Sequence, residues 1–355
     1  METTTYKLKD VLKIGNGKDH SSLPDGEYPV LGSGGIMRYA NRYLYDGESV
    51  LLPRKGTLNN IQYIKGKFWT VDTCYYTIIN QDITHPYYLY RLLRTFDLSG
   101  LDSGASIPSM TSKTYYGIKV QLPPLPTQQK IASILSAYDN LIQNYKKQIE
   151  ALQTAASELY KEWFVRFRFP RYQTTKFENG IPKGWKVEKL GTLANISTGK
   201  CNREDAEEDG IYPLFDRSQE IKKSNEWIKD CEAIIVPGEG TSFIPRYYKG
   251  KFNLHQRCYC VEPKYPNFGK FLFYVLMLNR KYFLSVATGA TVPSLRYNNF
   301  ASMKFVLPEM SLCNNFNKIA DDIFAKVDNL QQQITNLTQQ RDLLLPRLMS
   351  DKLEV

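Results

Sequence analysis

The feature that most constrains this 355-residue sequence is that it repeats itself. Leu8, Ile14, Gly17 and Lys18 return 182 positions later as Leu190, Ile196, Gly199 and Lys200. Gly26-x-Tyr28-Pro29 returns as Gly210-x-Tyr212-Pro213, and Pro53-x-x-Gly56-Thr57 as Pro237-x-x-Gly240-Thr241, both at an offset of 184. Lys65-Gly66-Lys67-Phe68 and Cys74-Tyr75 return at the same offset as Lys249-Gly250-Lys251-Phe252 and Cys258-Tyr259. Gly104-Ala105-x-x-Pro108-Ser109 and Leu122-Pro123 return at 185 as Gly289-Ala290-x-x-Pro293-Ser294 and Leu307-Pro308. So small a drift over the whole unit means two copies of one fold. Within each copy, Ser49-Val50-Leu51-Leu52-Pro53 and Ala233-Ile234-Ile235-Val236-Pro237 are short apolar runs stopped by Pro and Gly, which suits buried strands of a mixed sheet. Segments 87–95 and 268–284 read as helices. Each copy is therefore expected to be an α+β domain with polar, glycine-rich loops.

The latter part of each copy changes character. From Ile131 the apolar positions run Leu135, Tyr138, Ile142, Tyr145, Ile149, Leu152, Ala156, Leu159 and Trp163, in steps of four and three. That is a heptad stripe. The second copy supplies Phe316, Ala320, Ile323, Val327, Leu330, Ile334, Leu337, Arg341, Leu344 and Leu348, with Arg341 the one break. Two matched stripes much longer than an average helix favour packing on each other. The first helix leaves domain one and ends near domain two, where the second begins, so a second helix packed on the first is expected to run back antiparallel, unless the connector of about twenty residues after Phe164 reaches farther. A helix over 131–163 spans about 50 Å at 1.5 Å per residue. That distance covers roughly fifteen base pairs of duplex at 3.4 Å each, leaving an unread gap between two readers.

A polyanionic partner suits the charge, a formal net +10, because each cation placed on a phosphate releases a condensed counterion. Cys74, Cys201, Cys231, Cys258, Cys260 and Cys313 show no framework spacing and read as reduced core thiols. The start, Met1-Glu2-Thr3-Thr4-Thr5-Tyr6, lacks a basic-then-apolar leader, and no apolar stretch has the length of a membrane span, so the expected location is the cytoplasm.

Catalytic signatures are missing from the inventory. There is no Asn/Asp-Pro-Pro-aromatic motif to hold a flipped adenine and no P-loop. Gly32-Ser33-Gly34-Gly35 and Gly238-Glu239-Gly240 lack the strand and helix context of a cofactor site and read as loops. His20, His85 and His255 have no metal-ligand spacing and read as surface or packing residues.

Several phrases, in order, resemble the specificity subunit of type I restriction-modification systems. They are Leu122-Pro123-Pro124-Leu125-Pro126-Thr127-Gln128-Gln129-Lys130-Ile131-Ala132 leading into the first helix, and the junction Leu159-Tyr160-Lys161-Glu162-Trp163-Phe164-Val165-Arg166-Phe167-Arg168-Phe169-Pro170. Gly180-Ile181-Pro182-Lys183-Gly184-Trp185 and Lys189-Leu190-Gly191 open the second copy, and Arg341-Asp342-Leu343-Leu344-Leu345-Pro346-Arg347-Leu348-Met349-Ser350 closes the chain. Two places depart from the family pattern. Asp351 stands where Gly is usual, and Glu309-Met310-Ser311-Leu312-Cys313 replaces the Pro-rich start of the first helix, so the second helix is expected to begin differently.

The resemblance implies two target recognition domains separated by two long helices forming an antiparallel coiled coil, an internal pseudo-twofold repeat. The boundaries read as 1–126, 127–164 for the central helix, 165–184 for a linker, 185–310, 311–350 for the C-terminal helix, and 351–355 for a tail. It implies that each domain reads half of a bipartite double-stranded DNA target and that the helices carry two methyltransferase subunits. Restriction subunits would join them for adenine-N6 methylation or cleavage of unmodified DNA. No cofactor is expected on this chain; S-adenosylmethionine, ATP and magnesium belong to the partners. Two other classes stand beside this reading, a free-standing DNA-binding regulator on the same tandem plan and an intrinsic enzyme.

DNA contacts are expected from polar loops. In the first copy these are Lys18, Arg38, Arg42, Arg54, Lys55, Thr57, Asn59 and Asn60, and in the second Lys200, Arg217, Lys222, Lys223, Thr241, Ser242, Arg246 and Tyr247. Arg54-Lys55 corresponds to Gly238-Glu239 and Arg38 to Lys222, so equal folds carry unequal loops and imply different half-sites. The aromatic junction after Trp163 reads as a packed corner with its arginines in solvent. Lys146, Lys147, Glu150, Gln332, Gln333 and Gln340 flank the stripes, either as a docking surface for partner subunits or as solvated faces.

Overall fold

The structure is a computed structural model that describes residues 2–101 and 108–349. Gly104 and Ala105 of the repeat, Ser350 of the closing phrase and the 351–355 tail lie outside the described residues. Contacts gather into two compact units, 1–146 with 332–355, and 147–331.

In the first unit six strands form one sheet: β1 (Leu12–Gly15), β2 (Asp25–Gly32), β3 (Gly35–Ala40), β4 (Tyr45–Pro53), β5 (Gln62–Thr70) and β6 (Cys74–Ile79), in the order β1-β6-β4-β5-β2-β3. Only β2 and β5 run parallel, with Val30 opposite Trp69. The apolar run of β4 is continuous because both its faces are buried. Val50 and Leu52 join the core that includes Leu89, Ile131 and Leu135, while Leu51 turns to Leu31, Phe68 and Cys74. Phe68 near the end of β5 lies opposite Tyr45 at the start of β4, yet Cys74 lies opposite Pro53 at its end. The six steps between them reach at most about 20 Å, against roughly 27 Å for β4 laid straight, so the sheet curls.

The second unit repeats this plan with β7 (Ala194–Thr198), β8 (Tyr212–Phe215), β9 (Lys222–Ser224), β10 (Lys229–Pro237), β11 (Arg246–Leu254) and β12 (Cys258–Pro263), in the order β7-β12-β10-β11-β8-β9. The parallel pair again falls at the matching place, Leu214 opposite Asn253. Ile234 and Val236 face one core, Ala233 and Ile235 the other. The helix expected over 87–95 is Pro86–Leu93, started by Pro at its first position. The one expected over 268–284 is two, Gly269–Leu278 and Arg280–Val286. Asn279 divides them, its side-chain amide and its backbone N–H both donating to the Val275 carbonyl at 2.7 and 3.2 Å.

Two long helices, Leu125–Tyr160 and Met310–Met349, carry the heptad stripes, and every stripe position named above is buried or half-buried. In the first unit Ile131, Ala132 and Leu135, at the start of one helix, share a core with Leu344, Leu345 and Leu348 at the end of the other. In the second unit Ala156 and Tyr160 share a core with Phe316 and Ala320. Start meets end in each unit, which is the antiparallel arrangement. Both helices also begin alike, against the expectation for the second. The Pro124 carbonyl accepts from Thr127 and Gln128, and the Glu309 carbonyl from Leu312 and Cys313. A first turn leaves such donors to be satisfied locally, and Glu309 does so without proline.

A buried amide then ties each long helix to its domain. Gln128 accepts from the Thr84 hydroxyl and the His85 N–H and donates to the Ile83 and Pro123 carbonyls. Asn317 accepts from the Phe271 N–H and donates to the Cys313 carbonyl. After Tyr160 a π turn, Lys161–Val165, leads into the segment read as a linker, where Phe164, Phe167 and Phe169 pack around Trp185. Arg166 and Arg168 point outward to Glu158 and Glu162. Among the described residues no helix is long and apolar enough to cross a membrane.

The break in the stripe has a partner. Arg341 donates to Asp139 at 2.6 Å, and Asp139 also accepts from Arg91 and from the Tyr87 hydroxyl, both at 2.5 Å. The Arg91 side chain is 2% exposed and that of Arg341 13%, so Asp139 is the carboxylate both guanidiniums share, with the exposed Asp342 a second partner of Arg341 at 2.7 Å. Asp139→Ala is therefore expected to destabilise the first unit by about 3 kcal/mol. Arg341→Ala, which leaves Asp139 with Arg91 and Tyr87, is expected to cost about 1 kcal/mol. Urea denaturation of the full chain measures both, and equal losses would contradict the shared-carboxylate account.

Candidate functional site

The loops at the ends of the strands are drawn together by backbone hydrogen bonds that repeat between the domains. In the first, Lys18 N–H donates to Thr70 (2.8 Å), Arg54 to Thr73 (2.8 Å), Gly56 to Pro108 (2.9 Å) and Met110 to Arg54 (3.0 Å). In the second, Lys200 donates to Leu254 (3.1 Å), Gly238 to Arg257 (2.7 Å), Gly240 to Pro293 (3.0 Å) and Leu295 to Gly238 (2.8 Å). These are the same bonds between matched positions. Side chains close the cluster: Gln62 Nε2 donates to the Gly32 carbonyl (3.0 Å), and Arg246 Nη2 to that of Asp216 (2.6 Å).

Glycine makes this geometry available. A Cβ on Gly17 would lie 1.9 Å from the Val71 carbonyl oxygen, and one on Gly199 1.8 Å from that of Leu254. Gly56 and Gly240 take φ of +92° and +123°, where side chains are strained. That explains why Gly17-Lys18 and Gly56-Thr57 are shared by both copies while their neighbours differ.

Onto this common frame the domains place different side chains. The first domain shows Lys18, Arg54, Lys55 and Thr57 to solvent, with Arg54 5.8 Å from the Tyr75 ring centre. Asn60 is spent on the Ser33 carbonyl at 2.6 Å, and Asn59 tethers the loop to Asp97 and Leu98. Phe243, the counterpart of Asn59, makes the tether in the second domain by burying its ring. Arg38 is held by Asp25 (2.6 Å) and the Leu23 carbonyl (2.9 Å), and exposed Arg42 lies on the turn after β3, outside this hydrogen-bonded cluster.

In the second domain Lys200, Lys223 and Thr241 are exposed, and Ser242 is half-buried with its carbonyl taken by Arg280 at 2.8 Å. Three residues expected in the interface are instead held within the domain. Arg246 does the work of Gln62, donating to the Asp216 and Ser218 carbonyls with its guanidinium 5.1 Å over Phe215. The Tyr247 hydroxyl donates to Glu232 (2.6 Å) and accepts from Lys270 (3.1 Å), while its ring packs on Phe324. Lys222 pairs with Asp216 at 2.9 Å. Burial opposes the Asp216 charge, but the Ser218 hydroxyl and Lys222 outweigh it and bring its pKa down to about 2.

One cluster joins residues that the sequence leaves apart. Glu239 accepts from Arg217 Nη1 at 2.7 Å through one oxygen and from Arg257 Nη1 at 2.5 Å through the other, with Ser294 Oγ at 3.3 Å. Arg257 was not among the sequence candidates. Its signal was its place in the turn just before the shared Cys258-Tyr259, where the first copy has Thr73. Burial, then the Arg217 charge, lower the pKa of His255, so its ring is neutral at pH 7 and Nδ1 accepts the Arg257 N–H at 3.0 Å.

Along the long helices Lys146, Lys147, Glu150, Gln332 and Gln340 are exposed, and Gln333 is half-buried. Each unit also has a cleft against its helices. The first, about 790 Å³, is lined by Glu48, His85, Arg94 and Asp139; the second, about 690 Å³, by Tyr247, Phe273, Phe324 and Val327. The walls correspond through Tyr63 and Tyr247; the first adds Glu48, Arg94 and Asp139 to its tyrosines, the second Phe273 and Phe324.

Comparison with known proteins fits this layout. The family model described as "Type I restriction modification DNA specificity domain" matches residues 1–154 and again 182–342. The type I restriction enzyme MjaIX specificity subunit of Methanocaldococcus jannaschii is 24% identical, over 98% of this chain and 93% of that protein. A putative type I specificity subunit of Mycoplasma pneumoniae, S.MpnORF507P, is 23% identical over 81% of each chain. The crystal structure of a type I restriction-modification S subunit from M. genitalium superposes with a TM-score of 0.66 at 16% identity, covering 98% of this chain and 96% of that one.

The close approach at the loop bases is testable. Gly17→Ala and Gly199→Ala should each destabilise the chain by about 1–3 kcal/mol, because the obstacle is backbone that cannot rotate aside. Gly34→Ala, whose added Cβ meets nothing within 4 Å, should leave the thermal midpoint unchanged. A midpoint equally unmoved in all three would contradict the crowding.

Proposed function

Because the chain belongs to the type I restriction-modification DNA specificity family, we propose that its two recognition domains read the two halves of one bipartite double-stranded DNA target. On this reading the long helices carry two methyltransferase subunits for adenine-N6 methylation, and restriction subunits join them when unmodified DNA is cleaved. The chain performs no chemical step. S-adenosylmethionine, ATP and magnesium are handled by the partners, and this subunit supplies the address and the scaffold.

The observation that carries the proposal is the loop frame, built by the same hydrogen bonds in both domains but furnished differently. Lys55 corresponds to Glu239, Ser33 to Arg217 and Thr73 to Arg257. A duplicated enzyme site would need the same chemical groups twice. Two readers of unlike sequences need one backbone and unlike side chains, since phosphates set position and base edges set identity. Lys18, Arg54 and Lys55 in the first domain, and Lys200 and Lys223 in the second, are exposed and supply the phosphate contacts. Arg38, Lys222, Arg246 and Tyr247 act one layer behind, by shaping the loops. Lys146, Lys147, Glu150, Gln332, Gln333 and Gln340 border the surface offered to the partner subunits.

Mapping N6-methyladenine across the chromosome of a methylation-free host tests this. The full chain is expressed with its methyltransferase subunits, and each is expressed alone. The expected result is a new motif of two short blocks around a fixed gap, present only with both. A continuous motif would contradict one half-site per domain. Absence of any motif from an assembled complex would favour a DNA-binding regulator.

A further inference from the structure

We infer that Arg217, Glu239 and Arg257 form the base-reading element of the second recognition domain, a carboxylate-braced pair of guanidiniums that takes guanine edges in the major groove of its half-site. This rests on the proposed bipartite DNA reading and adds to it the residues and the base.

The geometry sets these three apart from the other charges in the loops. Glu239 is 14% exposed and engages both arginines, one through each oxygen, while Arg217 and Arg257 are 48% and 56% exposed. The brace is itself fixed. Glu239 lies opposite Ser294 in an isolated β-bridge, receives the Ser294 hydroxyl, and precedes Gly240, whose N–H is bound by Pro293. Arg257 is further held where its backbone N–H meets His255 Nδ1. A guanidinium has five donors, and the contact with Glu239 uses Nη1 of each, leaving further donors on half-exposed planar forks.

Such an arrangement suits base edges better than phosphates. An arginine that already shares a carboxylate adds little to counterion release, which depends on unpaired charge. Its gain lies in direction, because a braced fork can meet two acceptors side by side, and in the major groove guanine O6 and N7 present that pair. Glu239 is largely buried and its oxygens already accept from Arg217, Arg257 and Ser294, so its part is to hold the two forks. The first domain has Ser33, Lys55 and Thr73 at these three positions and therefore no such brace. The device belongs to one half-site only.

The test compares methylation motifs from the full chain, co-expressed with its methyltransferase subunits in a methylation-free host, for the unmutated protein, Arg217→Lys, Arg257→Lys and Glu239→Gln. Lysine keeps the charge and loses the fork, so it would restore a phosphate contact but not a bidentate base contact. The unmutated chain is expected to show at least one G·C pair in the half-site of the second domain. Arg217→Lys or Arg257→Lys should cut discrimination at one such pair by roughly ten- to a hundredfold, with the other half and the gap unchanged. Glu239→Gln should relax the same half without touching the other. An unaltered motif in all three variants, or a second half-site without G·C pairs, overturns the inference while leaving the bipartite reading intact. Absence of a bipartite motif with the unmutated chain overturns that reading, and the inference with it.

Discussion

Each recognition domain buries the outer face of its curled sheet under helix segments from two distant parts of the chain. In the first unit Val50 and Leu52 share one core with Ile131 and Leu135, and that core also takes in Leu348. In the second, Ile234 and Val236 share one with Ala156, Phe316 and Ala320. Without those segments the apolar faces of β4 and β10 would meet water, so the helices are part of each domain's core as well as a connection. Buried amides at Gln128 and Asn317 then fix the helix starts against their domains. The loops at the strand ends are consequently mounted on a fixed base, which positional reading of DNA requires.

Duplication made the two domains alike, and the differences collect where copies do separate work. The backbone bonds of the loop frame match, as do the close-packed Gly17 and Gly199. The polar seam does not. Asp139 and Arg341 occupy the positions that in the second unit belong to Phe324 and Ala156, and there an aromatic cluster around Tyr247, Phe273 and Tyr274 takes over. The first seam is held by a carboxylate shared between guanidiniums and the second by edge-to-face ring contacts, so the matched positions are held by different physics.

Much of this was legible in the sequence because it depends on periodicity and repetition. The offset near 184 announced two domains, and the heptads announced both long helices, with Arg341 correctly marked as their irregular position. What escaped depends on side chains meeting across loops. Gln62 and Arg246 look unrelated as letters, yet both hold the turn that follows β2 or β8. Arg246 reads from its letter as an exposed cation, whereas its guanidinium donates to the Asp216 and Ser218 carbonyls. Arg257 was passed over because only the fold brings it to Arg217 and Glu239. The break at Asn279 was hidden for a similar reason, since nothing in the spacing shows an amide turning back on the Val275 carbonyl.

The division of contacts has an evolutionary consequence. The second unit, 147–331, is one uninterrupted stretch, whereas the first is assembled from 1–146 and 332–355. A recombination event that exchanges the middle stretch transplants a complete hydrophobic core in a single crossover pair. Exchange of the front stretch alone would strand Arg341 and Leu348 against a foreign surface. Replacing the second recognition domain together with its core thus takes one stretch of chain and replacing the first takes two, an inequality set by chain connectivity rather than loop chemistry.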